Sequence, residues 1–288
     1  MRGSNNFAVA GDLTAFTDGA ALVANDMHLT LRVPNLWFRT RLITLPENQR
    51  LARQTDITGI TLPGVPAIVI GSNRHIAWSF TNSYGDFSDW VRVTLDPDDR
   101  SRYLGASGWQ SVQTFPETIH VRNAPAKVIT VRETEWGPIV ARDHDGAPLA
   151  IVWTAFQPGG VNLNLIELEH AQTADDAAVI AQQTGMPAQN FIVGDKQGNI
   201  LWTIAGRIPL RSDNFDPRLP ADWSMPGAGW LGWLNPADYP LIRNPDSGRL
   251  WTANTRTVNA DALPIIGDGG YDLGARSKQI RDNLFALE

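Results

Sequence analysis

Cysteine is absent from the 288 residues, which excludes a disulfide framework, a thiolate nucleophile, a CxxC redox pair and thiolate-bound zinc or iron–sulfur clusters. Any covalent chemistry must use oxygen or nitrogen. Lysine is scarce, occurring only at Lys127, Lys196 and Lys278, and the 30 acidic residues outnumber the 24 basic ones. That balance leaves no basic stripe for a phosphate backbone and argues against a nucleic-acid partner. Long apolar runs are missing too: stretches such as Pro66 to Ile70 fall far short of the roughly 18 residues of a membrane-spanning helix. The start, Gly3-Ser4-Asn5-Asn6 after Met1 and Arg2, offers no apolar segment of the secretory-signal kind. The expectation is a protein that stays in the cytoplasm or one whose true N-terminus lies upstream. Histidines stand at 28, 75, 120, 144 and 170, and no two have the spacing that puts a zinc pair on one helix face. A GxSxG elbow, a P-loop and a helix-opening GxGxxG are also missing.

What is present reads as globular. Apolar residues make up 43% and charged residues 19% of the chain, enough to bury a large core in one or two domains. Glycine and proline punctuate short apolar stretches, predicting strands over Phe7–Ala10, Ala21–Asn25, Ala67–Gly71, Ile76–Thr81, Trp90–Leu95, Thr118–Arg122, Lys127–Val131, Ile139–Arg142 and Leu149–Phe156. Turns at Asp145-Gly146 and at Lys196 to Asn199 predict hairpins, so the sheets are expected to be mainly antiparallel. Two helices are expected. One covers Ala174 to Thr184, with Thr173 as N-cap and Asp176 three residues on. The other, about Leu273 to Leu287, spaces Ile280, Leu284 and Leu287 at helical intervals. Ser212 to Pro245, rich in Pro, Gly and Trp, reads as a long ordered surface excursion, and no domain boundary is visible.

A series of motifs then points to a family. Gly3-Ser4-Asn5-Asn6-Phe7-Ala8-Val9 is followed by Ala24-Asn25-Asp26-Met27-His28, Thr61-Leu62-Pro63-Gly64-Val65-Pro66 and Ile70-Gly71-Ser72-Asn73-Arg74. Next come Ile76-Ala77-Trp78, Thr81-Asn82, Gly85-Asp86, Gln189-Asn190-Phe191, Gly198-Asn199-Ile200, Gly206-Arg207-Ile208-Pro209, Thr252-Ala253-Asn254 and Arg276. In order and spacing this resembles the β-chain of the penicillin acylase family of N-terminal nucleophile hydrolases.

The resemblance implies an α+β fold, an αββα sandwich of two mainly antiparallel sheets, present here as a partial domain. Residues 1–288 would be the N-terminal portion of the β-chain, one incomplete domain. A signal peptide, α-chain and spacer precede that portion in the family precursor, which works in the periplasm or outside the cell. The implied chemistry is hydrolysis of a linear acyl-amide after self-cleavage at Gly3-Ser4. Ser4 then acts as nucleophile, and its own α-amine, with a pKa of about 7.7 to 8.0 once freed, takes the hydroxyl proton. Gly3 suits a strained backbone at the cleavage point. By resemblance the backbone N–H of Asn82 and the side-chain amide of Asn254 receive the oxyanion, His28 holds the amine and nearby substrate, and Arg276 supports Asn254. Leu29 and Ile70 would wall the acyl pocket, where phenylacetyl-preferring members carry aromatic rings. Asp86, Asp89 and the carbonyls of Ser88 and Pro217 line up with ligands of a structural calcium ion. The α-chain is the implied partner, and the chain on its own is expected to have little activity.

Met1-Arg2-Gly3-Ser4 is also a start that expression vectors supply, so residues 1–3 read as leftover precursor or vector residues. The case for Ser4 rests on Asn5 to Gly11 and on the distance to His28. An alternative reading of the 11 tryptophans is a Trp-rich β-type module that binds a ligand or glycan without catalysis; the periodic blades of a propeller are not seen. The acyl group and the amine stay open: β-lactams, acyl-homoserine lactones and peptide-like amides all fit.

Overall fold

The computed structural model describes residues 3–44 and 55–287. Its first strand, Gly3–Val9, alternates half-buried and buried positions, so that Ser4, Asn6 and Ala8 face inward. The strand starts four residues before the predicted Phe7. Gly-Ser-Asn-Asn has weak strand propensity, and tertiary pairing overrides it: Gly3 to Val9 run antiparallel to His28 to Leu22 along their whole length. On the other side Asn6 to Val9 pair with Thr252 to Arg249. These strands, Arg249–Thr252, Gly3–Val9 and Leu22–His28, form a three-stranded sheet.

A seven-stranded sheet follows in the spatial order Leu241–Arg243, Ile200–Ala205, Gln189–Asp195, Ile76–Asn82, Ile70–Ser72, Thr55–Thr61 and Phe38–Thr44, with every pairing antiparallel. Its central strands are buried on both faces, which explains their near-continuous apolar sequence. Period two sorts the strand Ile76–Asn82. Ile76, Trp78 and Phe80 join a core with the helix Ala174–Gln183. Ser79 and Thr81 turn the other way, where Ser79 Oγ donates to Asn6 Oδ1 (2.7 Å) and the Thr81 and Thr252 hydroxyls meet at 2.7 Å. The short sheet's own outward residues meet the helix Ala275–Ala286, where Trp251 stands edge-on to Phe285 at 6.1 Å and Arg249 Nε donates to the Leu284 carbonyl.

The helix Ala174–Gln183 begins where its sequence says it should. Thr173 Oγ1 accepts from the Asp176 N–H, and the Asp176 carboxylate accepts from the Thr173 N–H, both at 3.1 Å. Alanines 174, 177, 178 and 181 form its buried stripe and let it sit close to the sheet. Removing the cap oxygen in Thr173→Ala should destabilise the protein by about 1 kcal/mol, read as a lower urea midpoint with an unchanged slope. An unchanged midpoint would mean that packing alone holds the helix start. The hairpin turn before Ile200 requires Gly198, at φ +91°, because an added Cβ would lie 2.7 Å from the Gly19 carbonyl oxygen.

All of this belongs to one compact unit, Met1–Asp86, Pro158–Ile208 and Leu234–Glu288; a second comprises Phe87–Gln157 and Pro209–Trp233. The second is built from two separated stretches, so no single shift in composition along the chain marks it. It holds an antiparallel sheet in the order Gln113–Ile119, Lys127–Thr134, Gly137–Arg142, Pro148–Trp153 and Ser88–Arg92, with the Asp145-Gly146 turn where it was expected. Two small hairpins join it, Arg102–Gly105 with Gly108–Ser111 and Pro209–Arg211 with Trp230–Trp233. The segment expected to be a surface excursion is exposed or half-buried over most of its length, and it also contributes to the core of this unit. Trp223 is buried with Val91, Tyr103 and Val152, and Phe215, Trp223, Trp230 and Trp233 follow one another at centroid spacings of 5.4, 6.3 and 6.4 Å.

Candidate active site

Strand alternation turns Ser4 inward, and the site grows from that placement. The Ser4 N–H donates to Asn254 Oδ1 at 2.7 Å, and Asn254 Nδ2 donates back to Ser4 Oγ at 3.1 Å. One amide thus holds the nitrogen and the hydroxyl of a residue 250 positions away in sequence. Asn254 follows the strand Arg249–Thr252, is fully buried, and has φ +66°, in the left-handed region that asparagine tolerates better than most residues. Its Nδ2 also donates to the Asn82 carbonyl at 2.9 Å. Asn82 therefore meets Asn254 at the end of Ile76–Asn82.

Arg276, in the first turn of Ala275–Ala286, ties the group together. Its Nη1 donates to the Ser4 carbonyl (2.9 Å) and Asn5 Oδ1 (2.7 Å), and its Nη2 donates to Asn254 Oδ1 (3.0 Å) and Asp272 Oδ2 (2.6 Å). Two donors on Asn254 Oδ1 leave the amide only one orientation, with its own N–H groups facing Ser4 Oγ and the Asn82 carbonyl. The Asp272 carboxyl is held below the ordinary carboxylate range, chiefly by its bond from Arg276 and then by the Leu273 N–H. A carboxyl whose folded pKa is depressed contributes above its unfolded pKa, about 3.9, and loses that contribution as pH falls through the depressed value. The Arg276–Asp272 pair is consequently intact at neutral pH.

His28 pairs with Gly3 across the strands. Its Nε2 lies 3.0 Å from Asp26 Oδ2 and 3.3 Å from Asn5 Nδ2, while Asp26 Oδ1 accepts the Asn5 N–H at 3.2 Å. Nε2 is thus the ring nitrogen that faces both Asp26 and Asn5. Nδ1 faces the chain at Gly3, and a Cβ there would lie 3.2 Å from it and 3.0 Å from Arg276 Nη2. Position 3 is thus closely flanked by two functional side chains.

Beside Ser4 lies a cavity of about 530 Å³ whose wall includes Asn82, Asn254, Leu29 and Ile70. Sequence reasoning missed Met27, Trp37, Phe80 and Met186, which also line it. Register could have found two of them: Met27 sits opposite Ser4, and Phe80 shares its strand face with Asn82. A larger groove of about 610 Å³ runs past Asp12, Asn199 and Arg249 and contains none of the Ser4 network.

The metal candidates lie elsewhere. Asp86 belongs to the first unit, where its N–H donates to the Ile266 carbonyl at 2.7 Å; Ser88, Asp89 and Pro217 belong to the second. Asp89 is buried, and its Oδ2 accepts from Arg211 Nε (2.8 Å) and Trp230 Nε1 (2.5 Å), while Oδ1 has no hydrogen-bond partner. Burial raises its pKa, against the lowering effect of Arg211 and Trp230. An orphaned buried carboxylate oxygen fits a hard cation. Among the described residues one group brings three ligand-type side chains together, Asp143, His144 and Asp145. The Arg92 guanidinium already bonds both carboxylates there, so that turn is an ion-pair cluster.

Comparison with known proteins bears on this arrangement. A family model described as penicillin amidase matches residues 1–288. The chain is similar to acyl-homoserine lactone acylase QuiP of Pseudomonas fluorescens (strain Pf0-1), 27% identical over 300 residues that cover 99% of this chain and 35% of that protein. It is likewise similar to the penicillin acylase 2 proenzyme of Pseudomonas sp. (strain SE83), 27% identical over 266 residues, 90% of this chain and 32% of that one. A thermostable penicillin G acylase from Alcaligenes faecalis superposes with a TM-score of 0.79 at 21% identity over 96% of this chain and 49% of that one, and so shares the fold, antiparallel sheets with few helices. The chain spans about a third of the length of these curated relatives.

Proposed function

The chain belongs to the penicillin amidase family, and from that premise we propose that it hydrolyses a linear acyl-amide with Ser4 as an N-terminal nucleophile. The observation that carries the reading is the double hold of Asn254 on Ser4, through Oδ1 to the nitrogen and through Nδ2 to the hydroxyl. In the intact chain, Ser4 Oγ attacks the Gly3 carbonyl carbon. The Gly3–Ser4 amide becomes an ester, and water hydrolyses it to leave a free α-amine on Ser4. That amine accepts the Oγ proton during attack on a substrate carbonyl. The oxyanion is received by Asn254 Nδ2 and the Asn82 N–H. The proton passes to the leaving nitrogen as the C–N bond breaks, and water then releases the acid and regenerates Ser4.

Three further parts belong to the same proposal. The αββα sandwich is supported by the succession of helix Ala174–Gln183, seven-stranded sheet, three-stranded sheet and helix Ala275–Ala286 in the contacts described above. A structural calcium ion with Asp89 as ligand is supported by the orphaned Oδ1. An α-chain partner is supported by Leu31 and Val33, fully exposed two and four residues past the cavity residue Leu29, as apolar surface that a covering chain would bury.

The aliphatic, aromatic and sulfur-bearing walls favour an uncharged acyl group. With protein made from the complete gene, kcat/KM for N-acyl amides of one fixed amine should rise about fourfold per added methylene, the equivalent of about 0.8 kcal/mol, until the cavity is full. A flat response or a preference for charged acyl groups would overturn the pocket assignment. No turnover of any acyl-amide would overturn the function itself.

A further inference from the structure

Arg276 sits in the first turn of its helix, where a positive charge opposes the helix dipole and has no intrinsic reason to stay in place. Something must hold its fork toward Ser4 and Asn254. Asp272 does so, and it also touches Asn254 from a second direction: its own N–H donates to the Asn254 carbonyl at 3.0 Å. The contacts close a ring. Asp272 N–H binds the Asn254 main chain, Asp272 Oδ2 accepts from Arg276 Nη2, and the same Nη2 donates to Asn254 Oδ1. Asp272 Oδ1 is itself fixed by the Leu273 N–H at 2.8 Å.

Resting on the reading of Ser4 and Asn254 given above, we propose that Asp272 is a positioning residue which, through Arg276, aims the Asn254 amide at the transition state. Without its carboxylate the guanidinium keeps its bonds to Ser4 and Asn5 but gains freedom to leave Asn254 Oδ1. The amide then has one donor fewer to define its orientation, at a residue already in the left-handed region. A mis-aimed oxyanion donor costs more in the transition state than in the ground state.

The test uses enzyme made from the complete gene and the variants Asp272→Asn, Asp272→Glu, Arg276→Leu and the Asn/Leu double variant. Expected for Asp272→Asn is a loss of kcat of about 10- to 50-fold, short of the ~10²–10³ for losing the donor itself, with KM within about threefold. Asp272→Glu should recover most of the loss, and the double variant should be no slower than Arg276→Leu alone, because both act on one path. Unchanged kcat in Asp272→Asn, or losses that multiply in the double variant, would overturn the proposal. Should Asp272→Asn not fold, Asp272→Glu decides: near wild-type kcat at matched stability supports positioning by a carboxylate, and a loss as large as that of Arg276→Leu contradicts it. A wild-type enzyme that neither cleaves Gly3–Ser4 nor turns over amides removes the underlying site reading and this inference with it, an outcome distinct from an active wild type beside an equally active Asp272→Asn.

Discussion

Replacing Asn254 with alanine is expected to lower kcat for acyl-amide hydrolysis by about 10²–10³-fold, or roughly 3 to 4 kcal/mol of transition-state stabilisation, with little change in KM. The size follows from how much this one side chain does. Asn254 Nδ2 is the donor aimed at the space beside Ser4 Oγ, and its Oδ1 is the acceptor for the Ser4 nitrogen. Burial makes both contacts count for more than they would in water. Alanine also leaves Arg276 Nη2 with Asp272 as its remaining partner among those described, a buried polar loss of about 1–3 kcal/mol in stability. Folding should survive that cost, so circular dichroism and steady-state kinetics on the same sample separate the two effects. Activity within a few-fold of wild type would remove Asn254 from the oxyanion site.

Ser4→Ala should be more severe: turnover falls to background and the chain stays uncut between residues 3 and 4. Alanine keeps the strand register, the Asn254 Oδ1 contact to the residue-4 nitrogen and the Arg276 contact to the residue-4 carbonyl. Only the hydroxyl is lost, but it leaves one buried N–H of Asn254 without its acceptor, so stability should fall by about 1–3 kcal/mol. Loss of both cleavage and turnover in a protein that is still folded, with a cooperative melting transition, locates the nucleophile. Continued cleavage at Gly3–Ser4 would assign the chemistry to another group.

Part of this arrangement was legible in the sequence. The helix after Thr173 announces itself through a capping box, and Ile76–Asn82 through Ile76, Trp78 and Phe80 at alternate positions between turn residues. Phe38–Thr44 and Thr55–Thr61 were not legible. Their residues alternate with threonine, arginine and aspartate, and their partner strands, not their own composition, define them. The Trp-rich stretch was legible as surface, but not the inward turn of Trp223, because glycine and proline density signals turns without saying which aromatics between them face inward. Ser4, His28, Asn82, Asn254 and Arg276 came from motif order. Asp272 and Asp26 could not, since each is read as an ordinary turn or strand carboxylate until the fold brings it against Arg276 or His28. Gly3 shows the same limit: its flexibility was visible in sequence, but its close approach to Arg276 and His28 belongs to tertiary structure.

The mass of the N-terminus in protein made from the complete gene tests the central claim most directly. A polypeptide that begins at Ser4 with a free α-amine, formed by wild type and not by Ser4→Ala, is the expected result. An intact Gly3–Ser4 bond in a preparation that hydrolyses acyl-amides would contradict it, because Ser4 would then have no amine to act as its base.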